Sequence, residues 1–173
     1  MKPLDQKDTL KEERGSLLNQ GLNELESWLL SSNLSKAEKK AREIKEEFKD
    51  YTSFREEYLL DYFLAQAIWR DENLKDNPDF DRLNEAIGLY TRSILSNERD
   101  TDTRADACFQ LGSAYITKRG ALARLGCSYD IIMRLGDCAI FYLGLAKKDK
   151  PSYASEVNPL VKKILRQREV LLN

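Results

Sequence analysis

The sequence contains no histidine. That removes the commonest general base and the commonest metal ligand. The Ser–His and Cys–His pairs of nucleophilic catalysis and the Glu-x-x-His pairs of di-iron bundles go with it. Glycine and proline are scarce, 8 and 4 of 173 residues, about 7% against a usual ~12%. A chain with so few turn formers is expected to be helical. Neither sign of charge dominates: 28 Lys and Arg stand against 29 Asp and Glu, net -1, which is not the basic balance of a nucleic-acid binder. Long apolar runs are missing too. The most apolar stretch, 131–146, has 16 residues and carries Arg134 and Asp137, so it predicts a buried helix and no transmembrane span. The first residues, Met1-Lys2-Pro3 followed by Asp5, Lys7 and Asp8, hold no apolar signal core. Cysteine is limited to Cys108, Cys127 and Cys138, an odd number with no CxxC spacing. Reduced, buried thiols and a cytoplasmic location are the expectation, with the periplasm as the alternative for an exported protein whose signal has been removed.

What is present suits a single helical domain. With 42% apolar and 33% charged residues, 173 residues can bury a core and stay in solution. Capping boxes, in which a hydroxyl and a carboxylate three residues on satisfy orphan N–H groups reciprocally, mark helix starts at Thr9–Glu12, Ser35–Glu38 and Ser53–Glu56. Asp79 or Asp81 starts a fourth helix and Thr101 or Asp102 a fifth, which Gly126 stops. Ser128 opens a sixth, and Asn158 ahead of Pro159 a seventh. The predicted helices are 9–30, 36–49, 54–70, 81–96, 102–124, 129–147 and 159–172. Apolar stripes at helical spacing support them: Ala37, Ala41, Ile44 and Phe48 in one, Leu160, Ile164 and Leu171 flanked by Val161 and Leu165 in another. No segment alternates as a strand does.

The helices repeat a pattern. Tyr62, Ala65, Gln66 and Trp69 correspond to Cys108, Leu111, Gly112 and Tyr115, and loosely to Leu22, Leu25, Glu26 and Leu29. Each of these helices precedes one with a second pattern: Ala37, Ala41 and Ile44; then Ala86, Tyr90 and Ser93; then Ala139, Leu143 and Ala146. Small residues at a helix crossing let two backbones approach while a bulky partner fills the hole. This resembles a degenerate tetratricopeptide repeat, whose first helix carries W-x2-L-G-x2-Y and whose second carries A-x3-F-x2-A before a proline, here Pro151. Repeat starts fall 40 and 46 residues apart rather than at the family's ~34, because 70–80 and 116–128 lengthen the connections. The resemblance implies three antiparallel helix pairs, 9–49, 54–96 and 102–147, stacked as a right-handed superhelix and closed by a solvating helix at 159–172.

Other chemistry reads weakly. The acidic segment Asp71, Glu72, Asp76, Asp79, Asp81 lacks the central Gly and distal Glu of a calcium loop and is expected to be a solvated loop. Lys36, Lys39, Lys40, Arg42 and Lys45 interleave with Glu38, Glu43, Glu46 and Glu47, as in a salt-bridged surface helix. No metal, cofactor or enzymatic role is expected. The resemblance implies a concave groove for a partner protein or peptide, lined by Asn23, Phe63 and Phe109, with Ala67 and Ser113 one turn on and Arg70, Thr117 and Lys118 at the mouth. That basic rim implies an acidic or carboxylate-bearing partner. The family's two-carboxylate clamp needs Lys and Asn on these faces, and only Asn23 fits. Two readings of Phe63 and Phe109 stand: core residues under the long connections, or an apolar slot for a helix or extended peptide. A helical carrier enclosing a small apolar ligand between Phe63, Phe109 and the helix 129–147 is the alternative function.

Overall fold

A computed structural model describes residues 4–49, 54–96 and 100–172. Among them are seven α-helices and no strand: α1 Leu4–Leu30, α2 Leu34–Glu47, α3 Phe54–Asn73, α4 Phe80–Ser96, α5 Thr101–Arg124, α6 Tyr129–Asp149 and α7 Ala154–Leu172, the last preceded by a 3-10 turn at Pro151–Tyr153. Each helix packs on the next in the chain. The first helices of successive pairs also touch, α1 with α3 and α3 with α5.

The expected stripes form the core. Ala37, Ala41 and Ile44 of α2 and Phe48, which caps it, are all buried, as are Ala86, Tyr90 and Ser93 of α4 and Ala139, Leu143 and Ala146 of α6. Close helix approach is explicit at two glycines. A Cβ on Gly112 would lie 2.7 Å from Leu143 Cγ and 3.2 Å from the Ala139 carbonyl, and one on Gly21 would lie 2.7 Å from Ile44 Cδ1. Glu26, assigned to the crossing position of the first repeat, is instead exposed, and Gly21 makes the α1–α2 contact.

The helix ends depart from several expectations. Asp79 caps α4, its Oδ1 accepting from the amides of Asp81 at 2.9 Å and Arg82 at 3.3 Å. Asp100, rather than Thr101 or Asp102, caps α5 by accepting from the Thr103 amide at 3.1 Å. Asn33 precedes α2, and no Ser35–Glu38 box forms, because Glu38 is engaged by Arg42 and Arg82. Thr9 falls inside α1, which already begins at Leu4; Ser53 lies outside the described residues. Asn158 and Pro159 fall inside α7, which Pro151 and its 3-10 turn begin earlier than expected. The stripe of α7 rests on Val157 and Ile164, both buried, while Leu165 is exposed and the Leu171 side chain lies outside the described residues. Cys108 is buried, and burial pushes its thiol up to about 11, whereas Cys127 and Cys138 are only half-buried.

The stop at Gly126 holds. The Cys127 amide donates to the Leu122 carbonyl and the Gly126 amide to that of Ala123, both at 3.1 Å, which is the Schellman arrangement with its left-handed residue at φ +70°. Ser32 ends α1 the same way at φ +59°. A Cβ at Gly126 meets no atom within 4 Å, so backbone strain alone decides the cost of adding one. Gly126→Ala is expected to lower stability by about 1 kcal/mol in urea unfolding; an unchanged midpoint would remove the left-handed stop.

Candidate functional site

Successive turns of α3 and α5 bring two aromatic pairs to one side of the molecule. On α3 the rings of Tyr62 and Phe63 lie 5.7 Å apart and tilted. Phe109 of α5 stacks on Tyr153 of the 3-10 turn, centroids 4.8 Å apart with planes 6° from parallel. All four rings are half-buried. Asp106, one turn before Phe109, holds the second pair in place: its Oδ1 accepts from the Tyr153 hydroxyl at 2.6 Å and from Lys150 Nζ at 3.0 Å. Lys150 lies 5.1 Å from the Tyr153 ring centre, within cation–π range.

Carboxylate charges reach these rings, alongside the cation Lys150, which pairs with Asp106. Burial first, then the charges of Asp106 and Glu26, push the Tyr62 hydroxyl well above its ordinary value. Tyr153 is pushed up by burial, by its bond to Asp106 and by the charges of Asp106 and Glu156. Lys150 is raised by its bond to Asp106, with the charges of Asp106 and Asp102 adding to it. Aromatic faces bordered by carboxylates attract cations twice over, through the ring quadrupole and through the charge.

The residues expected to line a groove are divided by the structure. Phe63 and Phe109 belong to the aromatic pairs, and Phe63 also packs against the core. Asn23 is exposed on α1, beside an open concavity of about 630 Å³ that it shares with Ser16, Asn19 and Trp28. Ala67 is fully buried and lines no surface. Ser113 turns its hydroxyl back to the Phe109 carbonyl at 3.0 Å. The residues of the expected basic rim are engaged by neighbouring helices. Arg70 closes the end of α1, donating to the Leu29 carbonyl at 2.6 Å and to Ser32 Oγ at 3.2 Å. Lys118 donates to Asn84 Oδ1 at 2.5 Å, and Thr117 joins Asn73 at 2.7 Å to the indole of Trp69 at 3.3 Å. Each cation bonds to a group of a neighbouring helix, an outcome that repeat position alone does not reveal.

Five residues join the site beyond those expected there: Glu26 and Tyr62, which the repeat pattern contains without a site role, and Asp106, Lys150 and Tyr153. Tyr62 was legible as the neighbour of Phe63, and Asp106 as a charge three residues before Phe109. Tyr153 had only the helix-starting Pro151 to mark it. Three further open concavities, of about 390, 460 and 600 Å³, lie along α7, between α5, α6 and α7, and between α5 and the segment 73–78. None of the four is closed or lined by Phe63 or Phe109. Among the described residues no helix is long and apolar enough to cross a membrane, and no cluster of metal-ligating side chains is present. No family model, no curated protein and no solved structure matches the chain.

Proposed function

We propose that the chain is a non-enzymatic protein-interaction module that takes a lysine- or arginine-bearing segment of a partner on its aromatic–carboxylate face. The observation that carries this reading is the half-exposed Phe109–Tyr153 stack held by Asp106, with the half-exposed Tyr62–Phe63 pair and Glu26, Asp102 and Glu156 within electrostatic reach. Half-exposed rings supply the area on which interface energy concentrates, and the carboxylates select the sign of the partner. The polarity is thus the reverse of the acidic partner expected from Arg70 and Lys118. Stacking as a tetratricopeptide-like right-handed superhelix belongs to the same proposal, supported by the α1–α3 and α3–α5 contacts.

The test is selection of random peptides on the immobilised chain. Enriched peptides are expected to combine Lys or Arg with apolar residues. Phe109→Ala and Tyr153→Ala are each expected to weaken a selected peptide by about 2 kcal/mol while melting close to wild type. Added salt is expected to slow association more than it speeds dissociation. Enrichment of acidic peptides would overturn the polarity. A fall in stability of roughly 3–5 kcal/mol for Phe109→Ala, with peptide affinity unchanged, would return these rings to the core.

A further inference from the structure

Arg119 stands on the inward face of α5, seven residues after Gly112 and eight after Leu111, and is only 6% exposed. A guanidinium cannot shed its proton, so its burial is costly unless an anion stands beside it. Among the described residues none pairs with it. Its Nε donates to the Ile132 carbonyl of α6 at 3.2 Å and its Nη1 to Gln167 Oε1 of α7 at 2.5 Å, both neutral acceptors. Burial holds its pKa below the ordinary value, with no opposing charge. The nearby Asp137 is taken by Arg168 at 3.2 Å. Space is kept for the buried cation: a Cβ on Gly136 of α6 would crowd Arg119 Nε at 3.4 Å and Ile164 Cγ2 at 3.3 Å. Arg119 lines a cleft of about 460 Å³ whose surface, shared with Gly120, Ala123, Ile132, Gln167 and Val170, is almost wholly apolar, with Arg166 as a second cation.

We propose that this cleft between α5, α6 and α7 binds a small anionic amphiphile, a carboxylate on a short apolar body, with the head group on Arg119 and the body along Ile132, Ala123 and Val170. The volume lies in the range of small-molecule sites, which are apolar with a few placed polar groups. The planar fork of one guanidinium matches a carboxylate in a bidentate pair, and the apolar wall gives the site no use for a bare anion. The site is distinct from the aromatic face, since Arg119 follows Asp106 by thirteen residues, about 20 Å along the helix.

The test uses the full chain with decanoate below its micelle concentration, followed by titration calorimetry and thermal melting. One saturable site and a rise in melting temperature are expected. Decylamine, decanol and acetate, which lack either the anion or the body, are expected to bind at least roughly tenfold more weakly. Arg119→Met is expected to weaken decanoate by about ten- to hundredfold. Gly120→Leu fills the cleft and leaves the Arg119 side chain unaltered: beyond its chain neighbours, a Cβ there meets nothing nearer than Arg124 Nη1 at 3.9 Å, and a helical leucine improves on glycine. That variant is expected to melt at or above wild type yet lose decanoate, which separates loss of the site from loss of the fold. Absence of decanoate binding overturns the proposal, as does equal binding of decylamine or undiminished binding by Gly120→Leu.

Discussion

Glu72→Ala is expected to destabilise the protein by about 3 kcal/mol, although it lies in a segment that reads as a solvated acidic loop. Its side chain is fully buried in the last turn of α3. One carboxylate oxygen accepts from Lys75 Nζ at 2.7 Å and Arg82 Nε at 2.5 Å, the other from the Asp79 amide at 2.7 Å. Arg82 then grips Glu38 of α2 through Nη1 at 3.1 Å and Nη2 at 2.8 Å, so three helices and the α3–α4 connection share one network. Truncation leaves the Asp79 amide without its side-chain acceptor and a half-exposed guanidinium without one anion. Burial alone would raise the pKa of Glu72, but Lys75, the Asp79 amide and Arg82 outweigh it and hold it below 4.5; Glu38 is lowered against burial by Arg82 and Arg42. A carboxylate whose folded pKa is lowered contributes stability above its unfolded value and loses it as pH falls through the folded one. Denaturant midpoints are therefore expected to be flat near neutrality and to fall below about pH 4.5, less steeply in Glu72→Gln. If Glu72→Ala unfolds at the wild-type denaturant concentration, the network is not structural.

What was legible in the sequence was the part set by neighbours within a helical turn or two. Buried stripes such as Ala37–Ala41–Ile44 follow from spacing, because burial on one face is a local property of an amphipathic helix. So does the stop at Gly126, where the required positive φ selects the residue. The Ser35–Glu38 capping box failed for a different reason. Ser35 and Glu38 have the spacing, but Glu38 finds a bidentate guanidinium 44 residues away, and a charge-assisted pair outweighs a surface cap. Spacing predicts intrahelical pairing for the basic run of α2, and Arg42–Glu38 at 2.9 Å and Lys39–Glu43 at 3.9 Å form, but Lys40 also reaches Glu24 of α1 at 3.8 Å, Lys45 reaches the buried Asp61 of α3, and Arg42 reaches Glu85 of α4 at 2.8 Å. Long-range polar partners of this kind leave no periodicity. The candidate site suffered likewise. Repeat position finds Phe63 and Phe109, but it assigns the rim to cations that the structure uses to close neighbouring helices, while the carboxylates around the rings sit on faces that spacing does not rank. Arg119 was the one long-range feature with a local sign: a charge on the stripe of Leu111 and Gly112.

The α5–α6 crossing carries the other large expected effect. Gly112 and Leu143 are both buried, and a Cβ added to Gly112 would meet Leu143 Cγ at 2.7 Å, closer than carbon atoms pack. Gly112→Ala is therefore expected to cost about 2 kcal/mol, since the overpacking outweighs the gain of alanine over glycine inside a helix. Leu143→Ala, which empties a fully buried site, is expected to cost about 3–4 kcal/mol. The double variant decides whether the two residues form one contact. The methyl group added at position 112 would then enter the space vacated at 143, so the combined loss is expected to fall at least roughly 1 kcal/mol short of the sum. Ala139→Leu, at a residue whose backbone carbonyl would lie 3.2 Å from the same Cβ, drives larger bulk into the crossing and is expected to cost about 3 kcal/mol. Strict additivity in urea unfolding, or a wild-type midpoint for Ala139→Leu, would separate these residues and with them the third repeat's alignment. Measured coupling would instead locate the closest backbone approach of the α5–α6 pair at the small residues that the repeat pattern selects.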